Sequence, residues 1–217
     1  MRAALYDFDG TLRAGDSIVT WLVYARQHRV ITLPAFLAAA LRAGIAMAFG
    51  SRDMAKIKTR VLAFERNLTR RELRALAEGF TKERLIPEIF PEGKDAWERD
   101  GREGCLRVLV SASTSDYMPC LAKALGADAL ICTQIGAQGQ ITENCRGEIK
   151  MRRILAWRDA LPPAQRPDFS RSKAYGNSDG DLDMLALCGE AHLIGNSKKA
   201  MRMCRERGIA YIRGFTA

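Results

Sequence analysis

Asp7-Phe8-Asp9-Gly10-Thr11-Leu12 follows directly on the apolar run Ala3-Ala4-Leu5-Tyr6. The run reads as a short buried strand beginning almost at the first residue. Side chains two apart on extended backbone point to one side, so the carboxylates of Asp7 and Asp9 converge at the carboxyl end of that strand. At about 4 Å two such charges repel by roughly 4 kcal/mol even at an effective dielectric of about 20. The pair is therefore costly unless a cation or a reaction needs it. The plain alternative is an acidic turn closed by Gly10. An EF-hand does not fit, because the glycine comes too early and position 12 of the loop would be Ile18, where a bidentate Glu is required.

The 217 residues can form one domain, or a domain carrying a substantial insertion. With 47% hydrophobic and 27% charged residues the composition is that of a globular protein, which excludes a disordered chain. A net charge of +9 favours anionic partners: phosphate esters, an acidic membrane surface or nucleic acid. No aromatic-and-basic motif supports nucleic acid, so none is expected. The six cysteines are scattered without a Cys-x-x-Cys pair, which argues against zinc or redox motifs and for reduced core thiols. The first strand stands where a secretory leader would be, and a cytoplasmic location is expected.

Asp16 or Ser17 can cap a helix over 18–29 in which Ile18, Trp21, Leu22 and Ala25 recur at helical spacing, placing Trp21 in the core and His28 at the surface. Residues 30–49 are the most apolar stretch and have the length of a membrane span. Pro34, Arg42 and Gly44 interrupt it, so it reads as cap helices, with a surface-lying membrane helix as the alternative because Arg29, Arg42 and Arg52 flank or punctuate the apolar face. Two amphipathic helices follow over 51–64 and 69–85, with Ser51 and Thr69 as capping candidates and Lys56, Lys58 and Arg60 on an outer face. Strand patterns resume only later. The shift predicts an α/β core of residues 1–15 plus 87–217 and an all-helical cap of 16–86.

Within the core, 106–110 is a buried strand ending in Ser111-Ala112-Ser113-Thr114-Ser115-Asp116, with a helix beginning near Asp116 whose N-terminus can hold phosphate. A strand over 129–133 and a hairpin around Ala137-Gln138-Gly139-Gln140 precede Gly147-Glu148-Ile149-Lys150, which opens a helix. Lys173-Ala174-Tyr175-Gly176 is a strand running into Asn177-Ser178-Asp179-Gly180-Asp181-Leu182-Asp183-Met184-Leu185. That run also mimics an EF-hand, but its sixth position is Met184 where Gly is needed. His192, inside an apolar strand, reads as a core or edge residue.

Taken in order, the four strings resemble motifs I to IV of the haloacid dehalogenase (HAD) superfamily, in the phosphoserine phosphatase-like branch with a helical cap between motifs I and II. The resemblance implies a Rossmann-like, doubly wound, mainly parallel sheet with its site at the carboxyl ends of the strands. It implies a Mg²⁺-dependent phosphomonoester hydrolase in which Asp7 is the nucleophile and Asp9 the general acid and base. Thr11 orients the loop, while Ser111, Ala112 beside it and Lys150 hold the transferred phosphoryl group; Arg146 rivals Lys150. The metal falls to Asp7, the main-chain carbonyl of Asp9, and Asn177 or Asp181, with Asp179 as a substitute. Asn177 departs from the family's acid at that place. Asp16 stands where phosphoserine phosphatases carry a glutamate that recognises the amino group. A small phosphorylated metabolite such as phosphoserine is the expected substrate, for a monomer or homodimer. A lipid phosphate such as phosphatidylglycerophosphate, with peripheral contact to an anionic membrane, is the alternative, and a weakly catalytic phosphate-binding module a further one.

Overall fold

A computed structural model describes residues 1–48 and 53–214. Six strands form one sheet in the order β3-β2-β1-β4-β5-β6, every pairing parallel. They are β1 (Arg2–Tyr6), β2 (Cys105–Thr114), β3 (Ala129–Thr133), β4 (Lys173–Gly176), β5 (Glu190–Leu193) and β6 (Ile212–Arg213). The chain starts in the middle of the sheet and winds outward in both directions, so the strand order reverses between β1 and β4. A crevice opens beyond the carboxyl ends of the strands at such a point.

Alternation along β1 builds both faces of the core. Ala3 and Leu5 point into one cluster, Ala4 and Tyr6 into the other, and all four are fully buried. Burial on both faces is why the strand reads as an unbroken apolar run. The first face is covered by α7 (Glu148–Ala160), α8 (Leu182–Leu187) and α9 (Lys198–Glu206) through Ile154, Leu185 and Cys204. The second is covered by α5 (Pro91–Arg102) and α6 (Met118–Ala124) through Trp97, Met118 and Leu121.

Between β1 and β2 lies the helical cap: α1 (Ser17–Gln27), α2 (Leu33–Ala48), α3 (Met54–Val61) and α4 (Arg70–Phe80). Asp16 caps α1, accepting from the backbone N–H groups of Ile18 and Val19. Thr69 and Glu72 close a capping box on α4. Trp21 is buried among Tyr24, Phe80 and Tyr117, and its indole N–H donates to Glu65 at 2.6 Å. The two chain passages joining cap to core run side by side. Phe90 N–H donates to the Leu12 carbonyl at 2.8 Å, and the buried Arg13 guanidinium donates to Glu88.

Several sequence expectations need correction. The helix after motif II begins at Met118, not near Asp116, because β2 runs on through the serines to Thr114 after a shift of register against β3. The expected hairpin around Gly139 is a tight turn, Gln140 O accepting from Gly136 N–H, with no strand on its far side. Asp53 caps α3; Ser51 lies outside the described residues. The helix expected to reach residue 85 gives way to a π-helical turn, Thr81–Leu85.

A polar knot pins the central strands to α5. Asp100, fully buried, accepts from Tyr6 Oη at 2.5 Å, Tyr175 Oη at 2.9 Å and Lys173 Nζ at 2.8 Å. The Tyr6 and Tyr175 rings stack at 4.2 Å. Truncating one partner of such a network leaves buried donors unpaired. Asp100→Ala is expected to cost of order 3 kcal/mol, reduced from the fully buried case because Lys173 keeps Glu103. Urea unfolding with an unchanged m-value checks it; a loss within a few tenths of a kcal/mol would show the knot to be unimportant.

Candidate active site

Asp7 is the first residue past β1, and its N–H donates to the Tyr175 carbonyl at 3.0 Å, which carries the pairing with β4 one step beyond the strand. Asn177 follows β4 in the same way. Motifs I and IV therefore meet across the point where the sheet reverses. Asp7 is held at both oxygens: Lys150 Nζ donates to Oδ1 at 2.9 Å and Thr11 Oγ1 to Oδ2 at 3.0 Å. Thr11 Oγ1 also lies 3.5 Å from Asn177 Oδ1.

Lys150 sits in the first turn of α7, 2% exposed, between two carboxylates. Its second contact is Asp181 Oδ1 at 2.6 Å. Asp181 Oδ2 in turn accepts from the N–H groups of Asn177 and Ser178 and from Ser178 Oγ. Against the penalty of burial, Asp181 and Asp7 hold the ammonium charged, and Lys150 holds Asp181 below the ordinary carboxylate range. Burial pushes Asp7 the other way, reinforced by the facing Asp181 and opposed by Lys150. Asp181 thus orients Lys150 with one oxygen and shapes the motif IV turn with the other.

Asp9 faces the cap. Its Oδ1 accepts from Ser17 N–H at 3.0 Å and from Arg13 at 3.3 Å, and its Oδ2 from Ser17 Oγ at 2.7 Å and Ser113 Oγ at 2.5 Å. Burial and then the nearby Asp16 push its carboxyl up, while the Ser113, Ser17 and Arg13 contacts pull it down. Ser111, buried near the end of β2, accepts from Ser113 N–H at 3.0 Å. Asp16 is exposed and caps α1 through Oδ1.

The groups near Asp7 able to ligate a hard cation are oxygens, beside the Lys150 ammonium that occupies Oδ1. The Asp7 carboxylate and the Asn177 amide oxygen share one hydroxyl, that of Thr11, so the donor set suits Mg²⁺ without a third acid. Among the described residues no three His, Cys, Asp or Glu side chains cluster as a ready metal site. Asp179 is engaged elsewhere, by Arg146 and by Lys199 at 2.6 Å. Arg146 is thus paired with Asp179, whereas Lys150 contacts Asp7 directly.

The sequence reading missed two residues. Ser113, two beyond Ser111 on extended backbone, shares its face and reaches Asp9. Lys58, expected on an outer face, is buried: its Nζ donates to the Ala112 carbonyl at 2.7 Å and to Asn144 Oδ1 at 2.6 Å. Burial lowers its pKa to about 8, against the pull of Asp16 and Asp9. Its periodicity is that of a solvated residue; only the packing of α3 over motif II covers it. A cleft of about 700 Å³ lined by Asp53, Asn144, Gly147 and Gly180 opens on this side. A larger one, about 780 Å³, lies between α4 and α6 and holds none of the motif residues apart from Ser115 and Asp116 at the end of the serine run.

The model of the haloacid dehalogenase-like hydrolases matches residues 4–186. Protein CicA of Caulobacter vibrioides is 32% identical over 197 residues, covering 85% of this chain and 82% of that one. Phosphoserine phosphatase SerB1 of Mycobacterium tuberculosis is 27% identical over 217 residues, covering 95% of this chain and 68% of that one. A Bordetella pertussis protein of unknown function superposes with a TM-score of 0.84 at 23% identity, covering 97% of both chains. The chain belongs to the haloacid dehalogenase-like hydrolases.

Gly10 makes the motif I turn possible in two ways. Its φ is +80°, and a Cβ there would stand 1.9 Å from Asn177 Nδ2. Gly10→Ala is expected to lose at least about 1–2 kcal/mol from the left-handed backbone alone. Adding Asn177→Ala should recover the part due to overlap. Thermal unfolding of both single variants and the double variant measures the coupling; additive losses would mean the two residues do not press on one another.

Proposed function

We propose that the protein hydrolyses phosphomonoesters with Mg²⁺ through an aspartyl-phosphate intermediate on Asp7. The observation that carries this reading is the Asp7 carboxylate held between Lys150 and Thr11 at the sheet's reversal point, with Asp9 two residues on. A phosphate monoester repels an anionic attacker, so the site has to supply positive charge and alignment. Lys150 supplies a fixed charge against Asp7, and Thr11 sets the plane of the carboxylate. Mg²⁺, held by Asp7, the Asp9 carbonyl and Asn177, would neutralise the phosphoryl oxygens and favour ionised Asp7.

In the first step an Asp7 oxygen bonds to phosphorus as the ester P–O bond breaks, and protonated Asp9 delivers its proton to the leaving alkoxide. Burial and the charge of Asp16 favour that protonated form. In the second step Asp9, now a carboxylate, takes a proton from water as the water oxygen bonds to phosphorus. Asp7 leaves as carboxylate, and inorganic phosphate is released. Ser111 and the neighbouring Ala112 backbone bind the transferred group, and Lys58 reaches the same place from the cap.

A small phosphorylated metabolite remains the substrate class of this reading. Asp16 caps α1 through Oδ1 and is exposed, so its other oxygen can still meet an amino group such as that of phosphoserine. A lipid phosphate is the second reading, favoured by the apolar outer face of α2. The domain limits of this reading are 1–15 plus 87–217 for the core and 16–86 for the cap.

Two outcomes are expected. Phosphate release from a panel of phosphomonoesters, phosphoserine and phosphatidylglycerophosphate among them, should require Mg²⁺ and fall by at least about 10³-fold in Asp7→Asn with its folding intact. Release by Asp7→Asn at the wild-type rate would remove Asp7 as nucleophile. For Lys58 the sign follows from its pKa of about 8: the cation is present below that pH and lost above it. Accordingly kcat/KM should fall as pH rises through about 8, and Lys58→Arg should move that limb upward. An identical pH profile in Lys58→Arg would take Lys58 out of substrate binding.

A further inference from the structure

Three of the few large apolar side chains left in solvent lie on one helix: Leu33 at 51%, Leu37 at 57% and Leu41 at 65% exposure. Their spacing of four stacks them along one face of α2. Pro34, Ala40 and Gly44, also exposed, widen the stripe, while Phe36 and Ala39 turn the opposite side toward the core. Apart from Arg42, α2 carries no charged residue. A contiguous exposed apolar face of this kind marks an interaction surface.

Charge decides the partner. Residues 16–86 hold thirteen Lys or Arg against six Asp or Glu, seven of the chain's nine net positive charges. Arg29, four residues before Leu33, and Arg42, beside Leu41 but turned off the leucine face, are exposed and make no ion pair among the described residues. A two-fold contact through α2 would press two such basic caps together, whereas an anionic lipid surface draws them in. The helix has 16 residues, and among the described residues no helix is long and apolar enough to cross a membrane. A helix of this length with an apolar stripe and basic flanks lies in the interface plane.

We propose that the outer face of α2 docks the protein on an anionic lipid bilayer, Leu33, Leu37 and Leu41 entering the acyl boundary while Arg29 and Arg42 meet the headgroups. Docking rests on the surface of the cap alone, and its failure is separable from failure of the catalytic reading. It sharpens that reading by placing lipid phosphomonoesters within reach of the site.

The test is co-sedimentation of the full chain with phosphatidylcholine vesicles with and without phosphatidylglycerol. Binding to the phosphatidylglycerol vesicles is expected, weakened by salt. It should fall at least about ten-fold in the Leu33→Ser/Leu37→Ser/Leu41→Ser variant and also in Arg42→Glu, and remain at the wild-type level in Asp7→Asn. Far-UV circular dichroism confirms the fold of each, and Arg42→Glu keeps the test open should the triple variant misfold. Binding that ignores the leucines would reduce the interaction to bulk charge and overturn the proposal. So would absence of sedimentation, or a dimer broken by the leucine changes in place of vesicle binding.

Discussion

Lys150, shared between Asp7 and Asp181 in the buried floor of the site, is the contact on which the rest depends. Three charged groups are taken out of water together, which is tolerable only because nearly every oxygen and proton is matched. Asp7 is closed by Thr11, Asp181 by Ser178 and two backbone N–H groups. Each partner arrives on a different element: Asp7 after β1, Lys150 in α7, Asp181 after β4. The arrangement therefore ties both halves of the sheet and one covering helix to a single point. Its remaining net charge is negative, and a cation beside Asp7 and Asn177 answers that charge as readily as it serves the chemistry.

The second carboxylate is governed by the cap. Asp9 takes two of its contacts from Ser17, the first residue of α1, and a third from Arg13, which also grips Glu88 where the chain returns to the core. A shift of the cap thus alters the hydrogen bonding, and with it the acidity, of the group that handles protons. Lys58 completes the coupling from α3 by reaching the Ala112 carbonyl beside Ser111. In the proposed reaction, the cap and the acid–base group would be linked through these few contacts.

The outer surface of the cap answers to a different constraint. α2 uses Phe36 and Ala39 to hold its place and leaves its leucines in water, an arrangement that folding alone does not favour. On the proposed reading the inner face of the cap serves the reaction and the outer face meets the lipid surface.

Much of this was legible from residue order. The pattern Asp7-x-Asp9-Gly10-Thr11 after an apolar strand, the helical period of 18–29 and of 69–85 up to its π-helical end, and the lysine opening α7 depend on local spacing, and local spacing survives without tertiary context. Asp7 and Asp9 are candidates on that spacing, while Thr11, Ser111, Lys150, Asn177 and Asp181 are candidates through the resemblance to the family's motifs. Other features were decided only when distant segments packed. Lys58 sits on a helix whose charges look solvated, and it is buried because α3 lies over the end of β2. Asp181 could be a metal ligand by its place in the motif, yet Lys150 and the Ser178 turn claim its oxygens. The sequence reads the strand as 106–110 with the serines at its end, but pairing with β3 keeps it extended to Thr114. Sequence determines which chemical groups are present and their local period; burial, and which charge meets which, are set by contacts between residues far apart in the chain.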